Sequence, residues 1–150
     1  MTVLLGASAD YAVEGEGTVT LNVIKGRNYY IGFFAGEAVE ISFELSFVEG
    51  EVATDGSMNC AHDVVEGANS VEIEAYGFAY FTYMSEGSGT LSLTTDSESV
   101  WWNVIGMTEY GNADISVELE YGDVIFIYVE NGANETATIS FNASFESSDF

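Results

Sequence analysis

The chain has 150 residues, is 47% hydrophobic and 14% aromatic, and sets 25 Asp and Glu against 2 Lys and Arg for a formal net charge of -23. That length and apolar content support a buried core rather than a disordered acidic tail, and the charge excludes nucleic acid and anionic membrane surfaces as partners. A single Cys excludes an internal disulfide, and no apolar run approaches the length that would insert in a membrane.

At the N-terminus, Val3, Leu4 and Leu5 are followed by Ala7-Ser8-Ala9, which has the look of a secretory cleavage region without its basic flank. Residues 1–13 are read as an extension, with Val3, Leu4 and Leu5 forming a donor strand for a neighbour's sheet. The remainder, 14–150, is expected to form one domain, because no proline or Ser/Gly linker interrupts it.

Thr18–Val23 alternates apolar and polar residues and is expected to be a strand with one face on a core. Lys25-Gly26-Arg27 follows, a glycine turn holding both cations of the chain. Asn28–Phe34 is apolar on both faces and reads as a central strand, or as one covered on its second side by another layer or another molecule. Glu40–Phe47 alternates again, with Ile41, Phe43, Leu45 and Phe47 on one side. Glu49–Asn69 breaks the pattern and reads as a long loop carrying Cys60, His62 and Asp63. The two-residue spacing of Cys60 and His62 suits half a metal site or a thiolate–imidazole pair, but no second Cys or His completes a structural zinc site. A buried thiol beside a solvated imidazole is the expectation.

Val71–Ala75, Phe78–Met84 and Thr90–Thr95 form the next set of strands, the middle one apolar on both faces. Ser99–Ile105 contains Trp101 and Trp102, which as neighbours on a strand point to opposite faces. One belongs to the core. The other is left for a partner or for a sugar ring to stack on. Asp114–Glu120, Asp123–Val129 and Thr138–Phe145 complete the series. Asn134 and Asn142 lie in N-glycosylation sequons, with Asn142 on the outward side of its strand.

An internal repeat underlies this order. Val19, Leu21, Val23 and Gly26 correspond to Ile115, Val117, Leu119 and Gly122; Ile41, Phe43, Leu45 and Phe47 correspond to Ile139, Phe141, Ala143 and Phe145. A looser copy runs from Val71 to Thr95. Each unit is an alternating strand, a glycine turn, a double-faced strand, a polar turn and a second alternating strand. Such units give an all-β antiparallel sandwich, jelly-roll-like, of about ten strands.

Catalytic residue types are scarce, and an enzyme is not expected. No cofactor is implied. Calcium is the ligand chemistry that the Asp-, Glu- and Asn-bearing loops at Thr94–Ser99, Val129–Glu135 and Val48–Gly56 would suit. The strand–turn–strand units, rich in Tyr and Val, resemble secreted β-sandwich modules of archaea and bacteria, among them subunits of donor-strand pili and methanogen cell sheaths. That resemblance implies an extracellular structural subunit, a pilus, filament or sheath protein that polymerises with itself through β-strand contacts. Val3, Leu4, Leu5, Lys25, Arg27, Trp101 and Trp102 are its candidate interface residues. The alternatives are a calcium- or carbohydrate-binding adhesin module that engages glycans, and a viral jelly-roll capsid or decoration protein.

Overall fold

A computed structural model describes residues 2–7 and 13–148. Met1 and Ser8 to Ala12 of the expected extension lie outside the described residues. The fold is all-β, with no helix among the described residues. The strands are β1 (Thr2–Gly6), β2 (Val13–Gly15), β3 (Tyr30–Phe34), β4 (His62–Asp63), β5 (Gly67–Ile73), β6 (Phe78–Met84), β7 (Gly89–Thr94), β8 (Val100–Val104), β9 (Ile115–Leu119), β10 (Val124–Asn131) and β11 (Ala137–Ser147).

Contacts divide the chain into two compact units, one made of Met1–Thr54 and Met58–Cys60, the other of Asp55–Ser57 and Ala61–Phe150. This partition differs from the expected one, an extension followed by a single domain over 14–150. The sandwich strands all come from His62 onward.

The second unit is a β-sandwich. One sheet has the order β4-β6-β10-β8 and the other β5-β11-β7-β9. All pairings are antiparallel except the short β4–β6 pair. Period-two alternation sends one side of each strand inward. Phe81 of β6, Trp102 of β8, Ile127 and Val129 of β10 meet Leu91 and Leu93 of β7 and Ile139 and Phe141 of β11 in the core. Edge-on ring contacts tie the two sheets together, Phe81 to Phe141 at 5.0 Å and Trp102 to Phe141 at 5.6 Å between centroids.

The first unit holds a three-stranded antiparallel sheet of order β2-β1-β3. Leu4 pairs with Glu14 on one side and Gly32 on the other, so β1 is the central strand. Asn28–Phe34, expected as a central strand, supplies β3 at the edge.

Two expected strands do not form. Thr18–Val23 and Glu40–Phe47 are irregular, and Phe43, Leu45 and Phe47 are exposed. The repeat explains why. Their counterparts β9 and β11 both pair with β7. Among the described residues the first unit offers β1, β2 and β3, and their ladders join them to one another and not to 18–23 or 40–47. An alternating segment becomes a strand only when a neighbour takes its hydrogen bonds and its apolar side.

The repeat turn is nevertheless built three times. Arg27 N donates to Ile24 O with Gly26 at φ 85°; Asp123 N donates to Glu120 O with Gly122 at φ 86°. In the middle copy Gly77 N donates to Glu74 O, and the left-handed position belongs to Tyr76, at φ 56°.

Candidate functional site

The two outer faces of the sandwich differ in chemistry. On the sheet β5-β11-β7-β9 the outward residues are Ser70, Glu72, Thr90, Ser92, Thr94, Ser116, Glu118, Thr138, Ser140 and Asn142, a polar surface that water satisfies. On the sheet β4-β6-β10-β8 the outward residues of β6, β10 and β8 include Phe78, Tyr80, Met84, Val124, Phe126, Tyr128 and Trp101. Apolar side chains on both faces of β6 and β10 are the signal for this surface in the sequence. Contiguous exposed apolar area of this kind marks a binding surface.

Register fixes the arrangement. Tyr128 of β10 stands opposite Tyr80 of β6 and Asn103 of β8. Glu130 stands opposite Phe78 on one side and Trp101 on the other. Phe78 and Tyr128 are stacked at 5.5 Å and 29°, and Tyr80 meets Tyr128 edge-on at 5.5 Å.

A sixth aromatic residue comes from outside the strands. After β8 the chain folds back, with Trp102 N donating to Gly111 O at 2.8 Å and Gly111 N returning a bond to Trp102 O. Thr108 Oγ1 accepts from Val104 N at 2.7 Å and secures the reversal. Tyr110 is thereby laid beside Trp101, the rings stacked at 5.7 Å and 25°. Sequence reasoning missed Tyr110, because the return of a loop onto its own strand leaves no periodic trace.

The two tryptophans separate as strand geometry requires. Trp102 is 1% exposed, and its Nε1 donates to Ala113 O at 2.8 Å. Trp101 is 42% exposed. Its indole lies across Gly132, where a Cβ would come within 3.0 Å of Trp101 Cδ1. Trp102 is therefore a core residue and not an interface residue, and Trp101 is the one presented.

Glu130 organises the polar part of the surface. The hydroxyls of Tyr110 and Tyr128 both donate to Oε2, that of Tyr128 at 3.1 Å. Desolvation, the bond to Glu130 and the charge of that carboxylate push the Tyr128 hydroxyl up to about 12. The same causes, in the same order, push Tyr110 up further. Both phenols remain neutral donors at any physiological pH.

No family model matches the chain. No curated protein matches it either. Among solved structures, part of the chain is similar to the crystal structure of Aeromonas hydrophila PliG, a periplasmic lysozyme inhibitor of g-type lysozyme. The two are 14% identical, with a TM-score of 0.42, over 57% of this chain and 96% of that one.

The remaining candidate residues lie elsewhere. Val3, Leu4 and Leu5 are half-buried in β1, with this chain's own β2 and β3 on both sides. Lys25 is exposed and Arg27 half-buried at the Gly26 turn. Asn134 is exposed in the β10–β11 turn, and Asn142 is exposed on the polar face. Cys60 is buried, with its Sγ 3.7 Å from Asn22 O, and the His62 ring packs 5.3 Å from Phe81. No group of three or more His, Cys, Asp or Glu able to hold a metal ion occurs among the described residues. In Val129–Glu135, one of the expected calcium loops, buried Asn131 organises the turn. Its Nδ2 donates to Ile73 O, Glu74 O and Glu135 O, and its Oδ1 accepts from Ala133 N.

Proposed function

We propose that this chain is a non-catalytic module that works outside the cytoplasm and binds carbohydrate through the outer face of β6, β10 and β8. The aromatic surface of Trp101, Tyr110, Tyr128, Tyr80 and Phe78 carries this reading. A pyranose ring offers a flat face of C–H groups to an aromatic ring, while its hydroxyls need acceptors and donors at the rim. Glu130, Asn103 and the tyrosine hydroxyls supply the rim on this face. A surface at -23 favours neutral or cationic sugars over sulfated, phosphorylated or uronic ones. Affinity electrophoresis through soluble polysaccharides tests the assignment. Trp101→Ala should weaken binding at least tenfold, about 1.4 kcal/mol. Ser140→Ala, on the polar face of the other sheet, should leave it unchanged. Equal retention of Trp101→Ala and the parent chain would sink the reading.

A second reading, self-assembly into a filament or sheath through strand contacts, draws on the first unit. Ile41, Phe43, Leu45 and Phe47 keep the pattern that is buried in β11, yet they are exposed. The candidate contact thereby moves from Val3–Leu5 to residues 40–48. Copies that pair through this row would appear as fibres or higher oligomers in electron micrographs and light scattering. Leu45→Glu with Phe47→Glu should return them to monomer, and a monomeric parent chain at high concentration would remove this reading.

A further inference from the structure

The centre of the aromatic face is a carboxylate, and its surroundings are unusual for one. Glu130 has Phe78 and Trp101 on its two flanking strands, Tyr128 two residues before it on the same side, and Tyr110 reaching it from the returning loop. The rings form an arc. Phe78 stacks on Tyr128, Tyr128 meets Tyr110 at 6.0 Å, and Tyr110 stacks on Trp101. Aromatic faces carry negative quadrupole potential and attract cations, and a carboxylate among them adds a full charge.

The sandwich itself brings that charge no Lys or Arg counter-ion. No Lys or Arg follows Arg27 in the sequence, so no strand of the sandwich can offer one. Both tyrosine hydroxyls end on Oε2. The other carboxylate oxygen is the one a ligand would meet.

Resting on the carbohydrate reading, we propose that Phe78, Trp101, Tyr110 and Tyr128 around Glu130 bind the ammonium group of an amine-bearing sugar unit. The ammonium sits against ring faces and donates to Glu130, while the pyranose face lies on Trp101. Glu130 is then the residue that sets specificity, and the two tyrosines hold its carboxylate in place. Acidity elsewhere on the molecule would attract any cationic polymer, so the test has to separate local from general charge.

Isothermal titration of the full chain with a glucosamine oligosaccharide and its N-acetylated counterpart of equal length does so, at a pH where the amine is protonated. The amine form should bind roughly tenfold tighter or better. Glu130→Gln should cut that advantage to about twofold, read as the ratio of the two affinities within the variant. Glu118→Gln, on the polar face, should leave the advantage intact. Phe78→Ala removes one ring without altering charge and should weaken the amine form about threefold. Equal affinity for the two oligomers, or an advantage that survives Glu130→Gln, overturns the proposal. If only the N-acetylated oligomer binds, with Trp101-dependent affinity, carbohydrate binding stands and the ammonium site falls. If neither oligomer binds, both fall.

Discussion

Glu130 and its two tyrosines show how a single residue sets the character of a surface. Tyr128 ionises near pH 12 in the folded chain, against the ordinary value of 10. Its folded-state proton is therefore held more tightly. The stability this confers is complete below pH 10 and is lost as pH rises through 12. Urea midpoints measured between pH 9 and 12 should fall across that window, and Tyr128→Phe should flatten the fall. A parent midpoint that stays level to pH 12 would contradict the tighter proton binding that desolvation and the bond to Glu130 give Tyr128. Trp101 makes the complementary point. Its exposure is a consequence of strand parity, since Trp102 takes the core position. Its place across Gly132 and beside Tyr110 holds the indole in one orientation before any ligand arrives.

At the scale of elements, the repeat turn is the most informative feature. Gly26 and Gly122 take left-handed conformations at no steric cost, whereas Tyr76 occupies the same position at φ 56°. Tyr76→Gly should stabilise the sandwich by about 1 kcal/mol, seen as a rise in the urea midpoint with an unchanged slope. A fall would mean that the Tyr76 ring contributes more packing than its backbone costs. Period-two patterning located β5 to β11 within a few residues, because each of those segments has the neighbours that its pattern requires. The same patterning misled over Thr18–Val23 and Glu40–Phe47. Alternation records that a segment suits a sheet, and it cannot record whether the sheet is there. β1 was legible as a strand at Val3–Leu5, though its partners are this chain's own β2 and β3, while β2, at 3 residues, is too short to announce itself. Of the binding face, Phe78, Tyr80 and Tyr128 were legible as double-faced apolar strands, and Trp101 as half of a Trp pair. Tyr110 and the central role of Glu130 depend on a loop reversal and on cross-strand register, which a linear pattern does not contain.

The whole molecule carries two units of unequal completeness. The sandwich buries most of its inward residues and segregates its outer faces into a polar sheet and an aromatic one. The first unit has a small sheet and an apolar row facing water. Charge is distributed unevenly as well, since both cations sit at the Gly26 turn of the first unit and the sandwich has none. An acidic sandwich with one aromatic face is suited to holding an uncharged or cationic polymer while repelling anionic ones. A heteronuclear NMR titration of the whole chain with a soluble glycan tests the proposed ligand surface on β6, β10 and β8. Amide and ring shifts should concentrate at Phe78, Tyr80, Trp101, Tyr110, Tyr128 and Glu130 and leave Thr94, Ser140 and Asn142 still. Perturbations centred on Thr94, Ser140 and Asn142, with the aromatic face unmoved, would contradict it.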